Sequence, residues 1–252
     1  MFPVTSILFI GATLLLCAYT LHKVRMIHLM LHDVRDQSHK QNNCLFRQME
    51  ALHGLYTDLG LSRSLPDTRG WAASPDFLLE LTRHALTDKP SVVVECSSGT
   101  STIVLARCLQ INGSGRVYSL EHDAAYARET RRQLERHGLT AWADVIDAPL
   151  TAQQFAGATW PWYATDGLPR NAEVDMLVID GPPQATRSLA RYPAGPALFG
   201  SLSPGAAVFL DDAQRPDEQQ ILRRWAAEYP EMEQRQISCE KGAAVLHYRP
   251  RA

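Results

Sequence analysis

The chain has 252 residues, 45% of them hydrophobic, which is enough for one large domain with an appendage. A formal net charge of −2 excludes the basic footprint that RNA or DNA binding needs, so no nucleic-acid partner is expected. The cysteines Cys17, Cys44, Cys96, Cys108 and Cys239 are odd in number and scattered, which argues against a disulfide framework or a zinc site and fits a reducing compartment.

No residue from Met1 to Leu21 is charged, and Ile7, Leu8, Phe9, Ile10, Leu14, Leu15 and Leu16 make a block long enough for a membrane span of ~20 residues. A cleaved signal usually opens with basic residues. Here the first is Lys23, after the block, and no small-x-small cleavage site follows, so a transmembrane anchor is expected over a signal peptide. Lys23 and Arg25 then predict a single-pass protein whose C-terminal side is cytoplasmic. Residues 24–61 carry Ile27, Leu31, Val34, Leu45, Met49, Leu52 and Leu59 near helical spacing, interrupted by polar residues 35–43. This pattern is compatible with a homodimer through a coiled stalk, and equally with a solvated stalk helix. His22, His28, His32, His39 and His53 lack a metal-ligand spacing and are expected in solvent. Residues 65–70 break the helix, and Ser74-Pro75 reads as N-cap and first residue of the next one, over residues 76–86.

The stretch from Ser91 to Leu105, SVVVECSSGTSTIVL, predicts a buried strand, a small-residue turn and a helix over residues 103–110. Thr100 to Thr102 supply capping hydroxyls, and the helix N-terminus favours polar or anionic ligand groups. A second strand follows at 116–120, a helix at 124–137 closed by Gly138, and a third strand at 142–146. Residues 151–172 lack periodicity and carry Trp160, Pro161, Trp162 and Tyr163, which reads as an insertion over a sheet edge, either a substrate lid or buried packing. A fourth strand at 174–179, a helix-like stretch to Leu202, a fifth strand at 205–210, a helix at 217–229 and a hairpin of 235–238 with 243–248 complete the domain.

Acidic residues end several of these strands: Glu95, Glu121, Asp147, Asp180 and Asp211. In open α/β sheets ligands sit at the carboxyl ends of strands, so these side chains converge on one rim. Glu121 lies 22 positions after Gly99, the interval at which a nucleotide fold sets a carboxylate against ribose hydroxyls. The turn lacks G-x-G-x-x-G, which counts against a nicotinamide-dependent oxidoreductase on the same fold. Lys241 and His122 are further rim candidates for proton transfer, with a hairpin-tip surface charge as the alternative for Lys241, and Arg191 and Tyr192 are candidates to line a substrate pocket, with core or surface packing as the equal alternative.

With Glu95, Ser97, Gly99 and Ser101 on the pattern E-x-G-x-G-x-S, the chain from Trp71 onward resembles the class I S-adenosylmethionine-dependent methyltransferases. The runs GRVYSLEHD and DMLVIDGPP are similar to a bacterial small-molecule or glycan O-methyltransferase branch. Ser97 stands where the family has glycine, and if that position needs a positive φ the serine costs on the order of 1 kcal/mol. The resemblance implies a Rossmann-like α/β fold: a mostly parallel seven-stranded sheet with helices on both faces. With the apolar block and helical spacing read above, the chain is expected in three regions, an anchor at 1–22, a stalk at 23–65 and the methyltransferase domain at 66–252. By the same resemblance S-adenosyl-L-methionine is the cofactor, Glu121 holds its ribose, His122 and Asp123 flank the adenine, and Asp147 with Ala148 meets the adenine edge. Asp180 is the expected catalytic residue. Asp180, Asp211 and Asp212 are similar to the ligand set of cation-dependent O-methyltransferases and imply Mg²⁺ or another divalent cation, although Pro183 stands where that family has lysine. The implied acceptor is a small molecule or a lipid-linked sugar; a non-catalytic membrane scaffold is the remaining alternative.

Overall fold

The computed structural model describes residues 4–68, 70–170 and 173–250. Helix α1 runs through Val4–Leu59 without interruption, so the polar residues at 35–43 do not break it. It contains an 18-residue window of mean hydropathy 2.0, long and apolar enough to cross a membrane by length and composition. The chain divides into two compact units, residues 1–47 and 48–252. In the first, α1 exposes its apolar side chains, Leu8, Phe9, Leu15 and Leu31 among them.

In the second unit, Ala51, Leu55 and Leu59 of α1 are buried in the core. The elements then alternate: α2 Pro75–Asp88, β1 Val92–Cys96, α3 Thr100–Asn112, β2 Arg116–Glu121, α4 Ala124–His137 and β3 Ala143–Asp147. Next come β4 Leu150–Phe155, β5 Ala158–Tyr163, β6 Val174–Ile179, α5 Ala194–Leu198, β7 Leu202–Asp211, α6 Pro216–Glu228, β8 Met232–Ile237 and β9 Ala243–Tyr248. Seven strands form one sheet in the order β3-β2-β1-β6-β7-β9-β8. The first five are parallel, and β9 runs antiparallel to both its neighbours.

The continuous apolar runs predicted for β1 and β6 follow from cover on both faces. One face carries Val93, Val117, Met176 and Phe209 against Leu55, Phe77, Ile103 and Leu134. The other carries Val94, Leu120, Leu177 and Leu210 against Trp162, Tyr192, Ile221 and Trp225. Because the order reverses between β1 and β6, a crevice opens at their carboxyl ends.

Two stretches differ from expectation. Residues 150–163 form a regular antiparallel hairpin, with Ala156 and Gly157 both at positive φ in its two-residue turn. Trp160, Trp162 and Tyr163 bury themselves from it against the sheet, and Pro161 is tolerated because the two-stranded pair has open edges. The helix-like stretch after Asp180 reduces to a 3₁₀ turn at Gln184–Thr186, the short α5 and a second 3₁₀ turn at Phe199–Ser201. Pro183, Pro193 and Pro196 deny it a continuous helical ladder.

Candidate functional site

A cavity of about 520 Å³ opens where β1, β2 and β6 end. Its floor is the turn after β1. Ser97 N donates to Leu120 O at 3.0 Å and Asp180 N to Cys96 O at 3.2 Å, which ties three strand ends together. Ser97 adopts φ 120° and Gly99 φ 150°. A Cβ on Gly99 would meet nothing, so glycine serves there for its backbone angle, while Ser97 carries the strain its side chain implies. The helix begins at Thr100, earlier than expected, and Thr102 supplies its cap by accepting from Gly99 N at 3.1 Å. Glu95 does not reach the cavity. It is fully buried beneath the turn, where its Oε2 accepts from Thr102 at 2.5 Å and Ser119 at 2.7 Å, and burial raises its pKa.

On the β2 side, Glu121 faces the cavity with both oxygens engaged. Oε2 accepts from Ser98 N at 3.0 Å and Ser98 Oγ at 2.9 Å, and Oε1 accepts from Asp123 N at 2.9 Å with His122 Nδ1 3.1 Å away. Burial alone would raise its pKa, but these donors outweigh it and lower the value, so the carboxylate stays ionised. His122 is raised in turn by its contact with Glu121. Tyr126 and Thr130 of α4 extend this wall.

The opposite wall is the end of β6 and β7. Asp180 lines the cavity, and Arg191, buried at 3% exposure, reaches across both strand ends. Its Nη2 donates to Asp180 O at 2.9 Å, Asp180 Oδ1 at 3.0 Å and Asp212 Oδ2 at 2.8 Å, and its Nη1 to Asp211 O at 2.9 Å. Arg215 adds a second cation, 2.8 Å from Asp212 Oδ2. Burial raises Asp180 to about 6, opposed by Arg191, and burial with the Asp180 charge lifts Asp211 well above the carboxylate range. Among the described residues, Asp180, Asp211 and Asp212 form the one acidic cluster whose ligand atoms all lie within 4.8 Å of one another. Asp211 Oδ2 and Asp212 Oδ1 are buried without a hydrogen-bond partner.

Two elements close the cavity. Pro66, Asp67, Gly70, Trp71, Ala72 and Ala73 line one side, held by Thr100 Oγ1 to Asp67 O at 3.0 Å. Lys241 Nζ donates to Gly70 O at 3.1 Å and Ala72 O at 2.9 Å, so this lysine anchors a wall from the tip of the β8–β9 hairpin. From the other side, the buried hydroxyl of Tyr163 faces the cavity without a partner, packed so tightly over Gly181 that an added Cβ there would collide with it.

The structure thus brings Ser97, Gly99, Ser101, Glu121, His122, Asp180 and Asp212 to one cavity. Asp211 is buried behind it, and Ala148 is buried at the end of β3, its N–H on Glu121 O at 2.7 Å. Asp147 is 64% exposed and pairs with Arg131 at 2.9 Å. Of the four rim residues, Lys241, His122 and Arg191 line the cavity, whereas Tyr192 donates to Glu228 at 2.8 Å away from it. Thr130 and Arg215 have no signal in the sequence beyond ordinary element positions, and Tyr163 only its place in an aromatic run that reads as a lid or as buried packing; the fold brings the three together.

Residues 94–213 match the family model described as a methyltransferase domain. No curated protein matches the chain. Among solved structures, the O-methyltransferase TomG from Streptomyces achromogenes, solved with S-adenosylmethionine, is similar at TM-score 0.52 and 18% identity, over 81% of this chain and 89% of that one. A Podospora anserina methyltransferase with bound S-adenosylhomocysteine is similar at TM-score 0.54 and 14% identity, over 79% and 88%. A Geobacter sulfurreducens methyltransferase is similar at TM-score 0.51 and 15% identity, over 80% and 90%.

Proposed function

We propose that this chain, a class I S-adenosylmethionine-dependent methyltransferase, acts on a hydroxyl of a small or lipid-linked acceptor at a membrane face. The observation that carries this reading is Asp180: a cavity-lining carboxylate raised to about 6, across the site from the ionised Glu121. A base of that pKa is unprotonated at neutral pH yet basic enough to accept a proton as the acceptor oxygen loses it.

The residues present fit the cofactor. Glu121 is a buried carboxylate able to accept from ribose hydroxyls, with Ser98 giving way at Oε2, and the partnerless Tyr163 hydroxyl is a donor in want of a ligand acceptor. Thr130, Tyr126 and His122 line the same side for an adenine ring. When bound, S-adenosylmethionine supplies an electrophilic methyl carbon. The chain's own work is then positioning: the turn at Ser97 to Ser101 fixes the ligand's approach, Pro66, Asp67 and residues 70–73 cover it, and Asp180 orients the acceptor hydroxyl and takes its proton. A divalent cation does not fit beside these residues. An ion bonded to both Asp180 and Asp212 would need the space that Arg191 Nη2 fills, within 3.0 Å of each carboxylate.

The apolar window in α1 supports a membrane anchor, and Lys23 with Arg25 after it supports a cytoplasmic catalytic domain. The test is transfer from methyl-labelled S-adenosylmethionine by the full chain in its native membranes, with label followed into lipid-soluble and aqueous fractions. Label in a base-stable methyl ether is expected; label in a base-labile methyl ester, or on nitrogen or sulfur, would overturn the hydroxyl reading, and full activity recovered in the soluble fraction after the membranes are sedimented would overturn the membrane one.

A further inference from the structure

We propose that Arg191 is the resident cation of this site: its guanidinium holds Asp180 towards the cavity, so that the chain binds no divalent metal there and needs none. Four carboxylates, Asp180, Asp211, Asp212 and Glu218, crowd the ends of β6, β7 and the start of α6, and a cluster of this kind without a cation would repel itself apart. Arg191 lies inside it, with one guanidinium nitrogen bonded to both Asp180 and Asp212 and the other to the backbone carbonyl of Asp211. Those contacts join the residues just past the last β6–β7 pair, Ile179 with Leu210, so the same side chain that offsets the cluster's charge also fixes its spacing. The planar fork is suited to this position because it reaches a carboxylate and two carbonyl oxygens at once, which a point charge on a lysine stem does not.

Arg191 also reaches the cavity wall, whereas its neighbour Tyr192 turns into the core. The backbone carbonyl that it grips on Asp180 matters as much as the side chain. With its carbonyl and its Oδ1 both held by Arg191, the Asp180 carboxylate is preorganised as proton transfer at a fixed acceptor requires. Arg191 is therefore a positioning residue, acting through Asp180.

The test is a calorimetric titration of the full chain in detergent with Mn²⁺, in the presence of S-adenosylhomocysteine, for wild type and Arg191→Ala. Wild type is expected to take up no Mn²⁺ at this site up to millimolar concentration, and its methyl transfer to ignore EDTA. Arg191→Ala, which frees the carboxylates, is expected to gain Mn²⁺ affinity by about tenfold or more while keeping its affinity for S-adenosylhomocysteine and losing kcat. Arg191→Lys, which keeps the charge and loses the fork, should recover part of that kcat without gaining metal. Saturable Mn²⁺ binding by wild type that Asp212→Asn abolishes would overturn the proposal, and so would an Arg191→Ala protein that binds S-adenosylhomocysteine and transfers at the wild-type rate. Should Arg191→Ala not fold, Arg191→Lys and wild type still decide the matter, because the metal is read directly rather than through transfer.

Discussion

On the β2 side of the cavity, each oxygen of Glu121 meets a donor from its own neighbourhood; on the β6–β7 side, four carboxylates share Arg191 and Arg215, and three of their oxygens, Asp211 Oδ2, Asp212 Oδ1 and Glu218 Oε2, stay buried without a partner. The first wall is a finished hydrogen-bond network and holds its carboxylate ionised. The second stores unfavourable electrostatics, and the burial that raises Asp180 suits it to the proposed proton transfer. On the proposed reading, binding chemistry and reaction chemistry are divided between two strand ends.

That division can be broken most sharply at Asp180. Asp180→Asn should lower kcat by about 10²-fold or more and leave the affinity for S-adenosylhomocysteine unchanged, measured by initial rates and calorimetry. In wild type, kcat should fall as the pH drops through about 6, since the base is active only when unprotonated and burial has raised it to that value. A rate that is flat between roughly pH 5 and 8 would remove Asp180 from proton transfer. Tyr163→Phe deletes an unpartnered hydroxyl, so the fold should keep its melting temperature while ligand affinity drops by a factor of roughly 5 to 10, about 1 kcal/mol. The smallest effect is at the floor shared by both walls: Ser97→Gly should relieve the φ of 120° and raise stability by up to about 1 kcal/mol in denaturant melts.

The difference between the walls also separates what was legible in the sequence from what was not. Glu121 announced itself through its distance from Gly99 along a β-turn-α unit, a local spacing that the fold conserves in space. The valine run of β1, the helix from 124 to 137 and the Gly138 stop were equally local and match the structure at their ends. Arg191 belongs to a proline-broken stretch with no period, and only the pairing of β6 with β7 brings it between Asp180 and Asp212. Tyr163 was hidden for a related reason. Pro161 argues against a strand and Ala156-Gly157 is a weak turn signal, so the hairpin that delivers the hydroxyl shows itself only through the burial of its aromatic face against the sheet.

The most direct measurement is a calorimetric titration of the full chain with S-adenosylhomocysteine, for wild type and Glu121→Ala. Wild type should bind at one site, and the variant, losing a charged acceptor for ribose hydroxyls, should bind about 10 to 100-fold more weakly. A wild type that does not bind, or a variant that binds as tightly as wild type, would contradict the assignment of this cavity and of Glu121 to the cofactor.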